Sequence, residues 1–134
     1  MSHLPDTNFF IHLMSRHAPL RSRYLAASGS TTFFLSSIVL YELQFGVEKS
    51  SRLEANRERL LNLIANDFIV LPFGEQDASA AAKIRASLER QKQPIGPYDT
   101  LIAGQAVARG LTLVTANVRE FARVEGLRWE DWSM

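Results

Sequence analysis

Short strand-like segments alternate with longer helical patterns along this chain, and that alternation constrains the fold more than any other feature. The strand-like segments are rich in β-branched and aromatic residues; they cover residues 2–5, 31–37, 67–73, 111–116 and, as a short edge strand, 126–130. Between them, leucine, isoleucine and alanine recur at helical spacing. Such alternation predicts an α/β fold of three layers, in which helices flank a central, mostly parallel sheet of four to five strands.

The length of 134 residues fits one domain, predicted to span residues 1–134. The absence of cysteine excludes disulfides and thiolate metal sites. No apolar run approaches the roughly 18 residues of a membrane helix, and no signal-peptide pattern is visible. We therefore expect a cytoplasmic protein without a membrane partner. The net charge of +1 does not by itself indicate a nucleic-acid partner.

Four polar residues are predicted to meet at one edge of the sheet. Asp6 ends the first strand, Glu42 lies in the helix after the second, and Asn117 follows the fourth. Asp99 lies in the first turn of a helix that Pro97 begins. Because the carboxyl ends of parallel strands gather at one edge, we expect these side chains to lie close together.

Each of these residues also has a local explanation that the sequence leaves open. Asp6 could cap the next helix, Asp99 suits a helix N-terminus, and Asn117 could be an ordinary turn residue. Glu42 could belong to a narrow polar stripe that faces solvent. Its apolar neighbours instead suggest a helix buried on most sides, where an unpaired carboxylate is costly.

Taken together, three carboxylates and an amide predict an anionic, oxygen-rich pocket that a cation would stabilise. Hard oxygen ligands favour Mg²⁺, with Mn²⁺ as a possible substitute. Such a metal suits chemistry at phosphate oxygens. Candidate contacts for a polyanionic substrate are Asn8, Arg85, Lys92, Thr115 and Arg119, although a solvated surface is the alternative for each basic residue.

Four motifs in this order carry a resemblance to a known family: "DTN" after the first strand, "ELQFG", "GPYDTLIA" and "VTANVREF". With the closing "REFARVEGLRWEDW", they extend from Asp6 to Trp132. The chain resembles PIN-domain ribonucleases, and specifically the VapC toxins of bacterial toxin–antitoxin modules. The resemblance implies a Mg²⁺-dependent endoribonuclease, typically a homodimer, that a VapB-type antitoxin holds inactive.

Carried over by motif, the resemblance makes Asp6, Glu42 and Asp99 the metal-binding acids. Asn117 stands where many members have a fourth acid, so a second metal is less expected, although Glu120 could partly compensate. Pro5 replaces the usual apolar strand residue and cannot donate a sheet hydrogen bond. The first strand is therefore expected to be frayed or bulged near Pro5.

Members that share "GPYD" and "REFxRVxGLRxEDW" resemble nucleases that cleave tRNA. Initiator tRNA is the expected substrate, cut in the anticodon loop by attack of a metal-activated water on a phosphodiester, because a loop exposes unstacked nucleotides. Two alternatives remain: a catalytically weak PIN-like interaction module, and an acidic phosphoacceptor domain. Apolar helices near "FFIHLM" and "LLNLI" are predicted to offer the homodimer surface.

Overall fold

A five-stranded sheet forms the centre of the computed structural model, which describes residues 2–15 and 17–133. Every pair of neighbouring strands is parallel, in the order β3-β2-β1-β4-β5. The strands are β1 (Ser2–Pro5), β2 (Thr32–Ser36), β3 (Phe68–Leu71), β4 (Thr112–Val114) and β5 (Trp129–Glu130). The predicted α/β architecture with a parallel sheet is confirmed.

The helices of the described residues are α1 (Thr7–Met14), α2 (Ala18–Ala27), α3 (Ser37–Glu48), α4 (Leu53–Asp67), α5 (Glu75–Arg90), α6 (Pro97–Arg109) and α7 (Val118–Phe121). Local sequence accounts for several of their ends. The Ser36 hydroxyl accepts a hydrogen bond from the Ile38 N–H and so caps α3. Gly110 ends α6 at a φ of 66°, a left-handed conformation that favours glycine.

Pro5 does not break the first strand, which stays paired with β4, but the pairing with β2 ends early, as the expected fraying required. β1 is the middle strand of the sheet, and Pro5 is in register with Val114 of β4. Pairing with β2 on the other side ends at His3 and Phe33. The Asp6 N–H donates to Val114 of β4, so the nitrogen of Pro5 faces β2, and the ladder to β2 stops short of Pro5 because proline has no N–H to donate.

Aromatic side chains fill the core on one side of the sheet. Phe9 packs edge-on against Tyr24 and Trp132 and stacks on Phe33. Phe68 of β3 stacks against Tyr24 with their ring planes 6° apart. This cluster fixes α1 and α2 against the sheet, and it thereby holds Asp6 at the end of β1.

Most of the apolar surface predicted for a dimer is instead buried inside this chain. In "FFIHLM", Phe9, Phe10 and Leu13 belong to the core and Ile11 remains 47% exposed. In "LLNLI", Leu60 is buried whereas Leu61 is 61% exposed. These two segments therefore contribute less free apolar surface than the sequence suggested.

Helices α5 and α6 pack closely through a glycine. A Cβ built on Gly104 would lie 2.6 Å from both Cα and Cβ of Ala81, closer than any relaxed contact allows. At the far end of this helix pair, the buried Asp77 carboxylate receives two hydrogen bonds from Arg109, each 3.0 Å long. These two contacts fix α6, and with it Asp99, relative to α5.

Within residues 2–15 and 17–133, no helix is long and apolar enough to cross a membrane.

Candidate active site

Asp6 lies between the end of β1 and the start of α1 and is 5% exposed. Its Oδ1 accepts the Phe9 N–H at 3.0 Å, so the capping interpretation is correct. Its Oδ2 accepts the Thr115 hydroxyl at 2.6 Å. Burial raises the pKa of Asp6, and the bonds from Thr115 and Phe9 oppose that rise. Asp6 therefore has a structural role that does not preclude a chemical one.

Glu42 lies on α3 and reaches the residue that follows Asp6. Its Oε1 accepts the Thr7 hydroxyl at 2.7 Å, in a partly buried contact. The expectation that α3 is buried on most sides is wrong, because Val39 and Leu43 are its buried residues and Tyr41 is 52% exposed. Glu42 thus lies at the margin of the core, where a carboxylate keeps access to solvent.

Asp99 lies in the first turn of α6, partly buried and beside Glu120. Burial raises its pKa to about 7, helped by a hydrogen bond with Glu120 and by the negative charges of Glu120, Asp6 and Glu42. An isolated helix-capping acid would not experience three neighbouring carboxylates. The negative charges of Asp6 and Glu42 therefore act on Asp99, although burial and Glu120 affect its pKa more strongly.

Asn117 orients Glu120 rather than capping α7. Its side-chain amide donates to Oε2 of Glu120, while Oε1 accepts the Gly96 N–H at 3.3 Å. Burial favours a raised pKa for Glu120, but the hydrogen bonds from Asn117, Asp99 and Gly96 outweigh it and lower that pKa. Glu120 is thus held as the charged partner of Asp99, which sequence spacing alone indicated only weakly.

Thr115 links the two halves of the site. Besides its bond to Asp6, the Thr115 hydroxyl oxygen accepts the Asn117 N–H at 2.9 Å. A single side chain thereby fixes the acid after β1 relative to the loop after β4. The sequence predicts Thr115 only as a substrate contact, which stays a prediction; its hydrogen bonds to Asp6 and Asn117 identify it as a positioning residue.

The other predicted substrate contacts lie outside this network. Arg85 is exposed and pairs with Glu89 at 2.9 Å. Lys92 occupies the turn after α5 with a φ of 58°, and Asn8 and Arg119 are exposed. Among the described residues, no hydrogen bond joins any of these four to the acids. Their contact with substrate stays a prediction.

Two polar partners of the acids do not follow from the sequence. Thr7 binds Glu42, and the Gly96 N–H binds Glu120. The sequence offered a weak signal for the first, because the "DTN" triplet is richer than a single helix cap requires. The sequence offered no signal for the hydrogen bond between Gly96 and Glu120, because that bond depends on how closely the N-terminus of α6 approaches α7.

Metal binding requires a tighter arrangement of the carboxylates. Within the described part of the chain, no three Asp, Glu or His side chains stand close enough to hold one ion as placed. The donor set nevertheless suits a hard cation, because it consists of oxygen atoms, and the negative charges of its neighbours add to the effect of burial in raising the pKa of Asp99. Binding would require the carboxylates to move closer together than they are placed.

A pair of tyrosines borders the acids. Tyr41 directly precedes Glu42, and Tyr98 directly precedes Asp99. Their ring centroids are 5.7 Å apart and their hydroxyl oxygens 3.5 Å apart. The Tyr41 hydroxyl raises the pKa of Tyr98, and the Glu42 carboxylate adds to that effect. The two rings therefore lie at the rim of the same anionic pocket.

Comparison with known proteins agrees with this geometry. The PIN domain family model matches residues 4–127. A VapC named as a tRNA(fMet)-specific endonuclease, from Shigella flexneri, is 42% identical over 129 residues and covers 96% of each chain. A Salmonella typhimurium protein of the same name is 41% identical over 127 residues, with 95% of each chain covered.

Solved structures give the same assignment. The chain superposes on VapBC2 of Rickettsia felis, bound to a promoter DNA fragment, with a TM-score of 0.92 and 32% identity, covering 98% of this chain and 99% of that one. For DNA-bound VapBC of Salmonella typhimurium the TM-score is 0.90 at 39% identity, with 98% of each chain covered. The chain therefore belongs to the PIN-domain family and, within it, to the VapC ribonucleases.

Proposed function

We propose that this chain is the metal-dependent endoribonuclease toxin of a VapBC toxin–antitoxin module and that it cleaves initiator tRNA in the anticodon loop. The metal-dependent part is supported by the position of Asp99 near the other acids, where burial raises its pKa to about 7 and the negative charges of Glu120, Asp6 and Glu42 add to that rise. A cluster of like charges is costly to maintain without a compensating cation. Structural stability alone does not call for such a cluster.

Asp6, Glu42 and Asp99 are the residues that would hold Mg²⁺, with Mn²⁺ as a possible substitute. When bound, the ion would activate water and neutralise charge that develops on the phosphodiester. Thr115 orients Asp6, and Thr7 orients Glu42. Asn117 holds Glu120 in place, so that a charged group remains near the position where other members have a fourth acid.

The names of the relatives support tRNA as the substrate. The Shigella flexneri and Salmonella typhimurium proteins are named tRNA(fMet)-specific endonucleases, and both align over nearly the whole chain. An RNA loop presents splayed nucleotides to a shallow pocket, whereas a duplex does not. Cleavage in the anticodon loop follows from this argument and from the motif resemblance, and it requires mapping of the cut.

A VapB-type antitoxin is the proposed partner. Structural relatives from Rickettsia felis, Salmonella typhimurium and Haemophilus influenzae are described as VapBC assemblies. Homodimerisation stays a prediction from the resemblance, with exposed Ile11 and Leu61 as its remaining apolar support in the two predicted segments. A cytoplasmic location follows from the proposed substrate.

The test is a cleavage assay on purified initiator tRNA, with an elongator tRNA as the matched control. Reactions contain Mg²⁺, Mn²⁺ or a chelator, and the 5′ ends of the products are sequenced. We expect one dominant cut in the anticodon loop of initiator tRNA that the chelator abolishes and added Mg²⁺ restores. Full activity in chelator would contradict metal dependence, and no cleavage with either metal would favour the interaction-module alternative.

A further inference from the structure

We propose that Tyr41 and Tyr98 form a stacking site for the RNA next to the phosphodiester that is cut, in which an unpaired nucleobase lies face to face with one ring and the other ring contacts its edge. The inference rests on the proposed ribonuclease function and adds to it a subsite for the substrate. Sequence neighbours on a helix point about 100° apart. The two rings therefore border the pocket of Glu42 and Asp99 instead of filling it.

The exposure of the pair has no explanation in the fold of this chain. Tyr41 is 52% exposed and Tyr98 is 43% exposed, so neither ring belongs to the core. They come from different helices, α3 and α6, and are tilted by 55° to each other. Their hydroxyls meet at 3.5 Å, which is too long for a strong hydrogen bond. Contact with each other leaves a large part of each ring open to a ligand.

Phe45 provides an internal comparison. It lies one turn after Tyr41 on α3 and is 55% exposed. The Lys49 ammonium lies 5.1 Å from the centre of the Phe45 ring, so one face of this ring already has a cation partner. Among the described residues, no cation is recorded over Tyr41 or Tyr98. Phe45 is thus as exposed as the tyrosines but has a cation over its ring, whereas Tyr41 and Tyr98 directly precede the acids.

Single-stranded RNA fits this position better than a protein surface does. Any phosphodiester that reaches Glu42 and Asp99 brings its flanking nucleotides to the rings that directly precede those acids. Every nucleobase has a flat face that stacks on an aromatic side chain, and in a loop that face is free. The tyrosine hydroxyls can remain in water while the rings stack, so binding buries no unpaired polar group.

The first experiment measures binding without cleavage. The RNA is the anticodon stem-loop of initiator tRNA with 2-aminopurine at one loop position at a time, and chelator is present throughout. Stacking on a tyrosine quenches the probe. We expect quenching at one or two adjacent loop positions, and about 10-fold weaker binding of Tyr98→Ala and Tyr41→Ala. Tyr98→Phe and Tyr41→Phe should bind within about 2-fold of the parent, as should the matched control Phe45→Ala.

The second experiment is a double-mutant cycle in the cleavage assay. The base beside the mapped cut is removed, leaving an abasic nucleotide, and each RNA is tested with the parent protein and with Tyr98→Ala. If the ring stacks on that base, each change alone should raise KM about 10-fold. The two changes together should raise KM little more than either change alone.

Three outcomes would overturn the inference. Equal binding and quenching by the parent and both alanine variants would show that no base stacks there. Additive effects in the cycle would show that the rings and that base act independently. Normal RNA binding, combined with loss of self-association in light scattering or of antitoxin binding, would assign the rings to a protein interface. Because the binding assay contains chelator and measures no cleavage, it tests base stacking even if the proposed cleavage activity is absent.

Discussion

The Thr115 hydroxyl donates a 2.6 Å hydrogen bond to the Asp6 carboxylate, joining the loop after β4 to the end of β1. Both side chains are almost fully buried. Because the same hydroxyl accepts the Asn117 N–H, Thr115 has both donor and acceptor capacity engaged. Its replacement should therefore disturb the position of the acid as well as that of the loop.

Thr115→Val preserves the volume of this side chain and removes both hydrogen bonds. The unfolding free energy should fall by about 1–3 kcal/mol, because Asp6 keeps its burial but loses a partner. If Asp6 binds the proposed metal, RNA cleavage should fall about 10- to 100-fold, the usual loss when a residue that orients a metal ligand is removed. Thr115→Ser retains the hydroxyl and is the control. Equal activity of the valine and serine variants would remove Thr115 from the site.

Arg119 is predicted to contact the RNA backbone. It is exposed, and among the described residues it forms no salt bridge, whereas Arg85 is already paired with Glu89. Charge reversal in Arg119→Glu should weaken RNA binding and lower the slope of log affinity against log salt by about 0.7. Arg85→Glu should have a smaller effect, because Arg85 is already paired with Glu89. Binding titrations at several salt concentrations measure both, and an unchanged slope for Arg119→Glu would contradict the contact.

Gly104 tests the packing that holds α6. In Gly104→Ala the new methyl would meet the Ala81 backbone at 2.6 Å, so the helices must separate. We expect a loss of about 1–3 kcal/mol in the unfolding free energy. Gly46→Ala is the matched control, since a Cβ there meets nothing within 4 Å; it should be neutral or stabilising by up to about 1 kcal/mol. Denaturant unfolding compares the two, and equal stabilities would refute the close contact.

Asp77, which lies outside the candidate active site, should make the stability of the fold depend on pH. Burial opposes its charged form, but the bonds from Arg109 and the Gly74 N–H outweigh burial and lower its pKa. Because the pKa of Asp77 is lower in the folded protein, its carboxylate stabilises the fold fully at pH values above the unfolded-state pKa near 4. This stabilisation is lost as the pH falls through the folded-state pKa.

Asp77→Asn should therefore destabilise the protein at pH 7 and reduce the loss of stability on acidification. The expected cost at pH 7 is about 1.5–3 kcal/mol, as for hydrogen bonds to charged groups. Glu89→Gln breaks the exposed pair with Arg85 and should cost less than about 1 kcal/mol. Melting curves from pH 3 to pH 8 test this, and parallel profiles for the parent and Asp77→Asn would contradict it.

The order of the five strands along the chain was predictable from the sequence, whereas the exact length of each strand was not. The predicted segments 31–37 and 67–73 become Thr32–Ser36 and Phe68–Leu71, because α3 begins at Ser37 and Pro72 cannot continue a paired strand. Helix α2 gave no clear periodic signal, since Leu20 and Tyr24 are its buried residues among mostly polar or small neighbours. Tertiary packing stabilises it more than its own pattern does.

The acids of the site were predictable because each follows or faces a strand end. The hydrogen-bond partners of these acids were not predictable, because they depend on side-chain directions that the spacing of residues in the sequence does not fix. Glu120 is 21 positions from Asp99 in the chain, yet the two carboxyl groups share a hydrogen bond. The burial predicted for Glu42 was wrong for a related reason: the apolar residues Tyr41 and Phe45 face outward.

Asp99→Asn gives the most direct test of the central claim, that Asp6, Glu42 and Asp99 form a metal-dependent nuclease site. Asparagine retains a neutral acceptor at the start of α6 but removes one of the crowded charges. Glu75→Gln is the matched control, because Glu75 is an exposed acid in the first turn of α5. It should cost at most about 0.3–1 kcal/mol through the helix dipole and leave cleavage intact.

The measurement is RNA cleavage beside melting curves with and without Mg²⁺, on the same preparation of each variant. For Asp99→Asn the account predicts a metal-free protein at least as stable as the parent, a smaller Mg²⁺-dependent stabilisation and cleavage reduced by about 100-fold or more. Near-normal cleavage by a folded Asp99→Asn protein, with an unchanged response to Mg²⁺, would contradict the account and leave Asp99 as a helix-terminus residue.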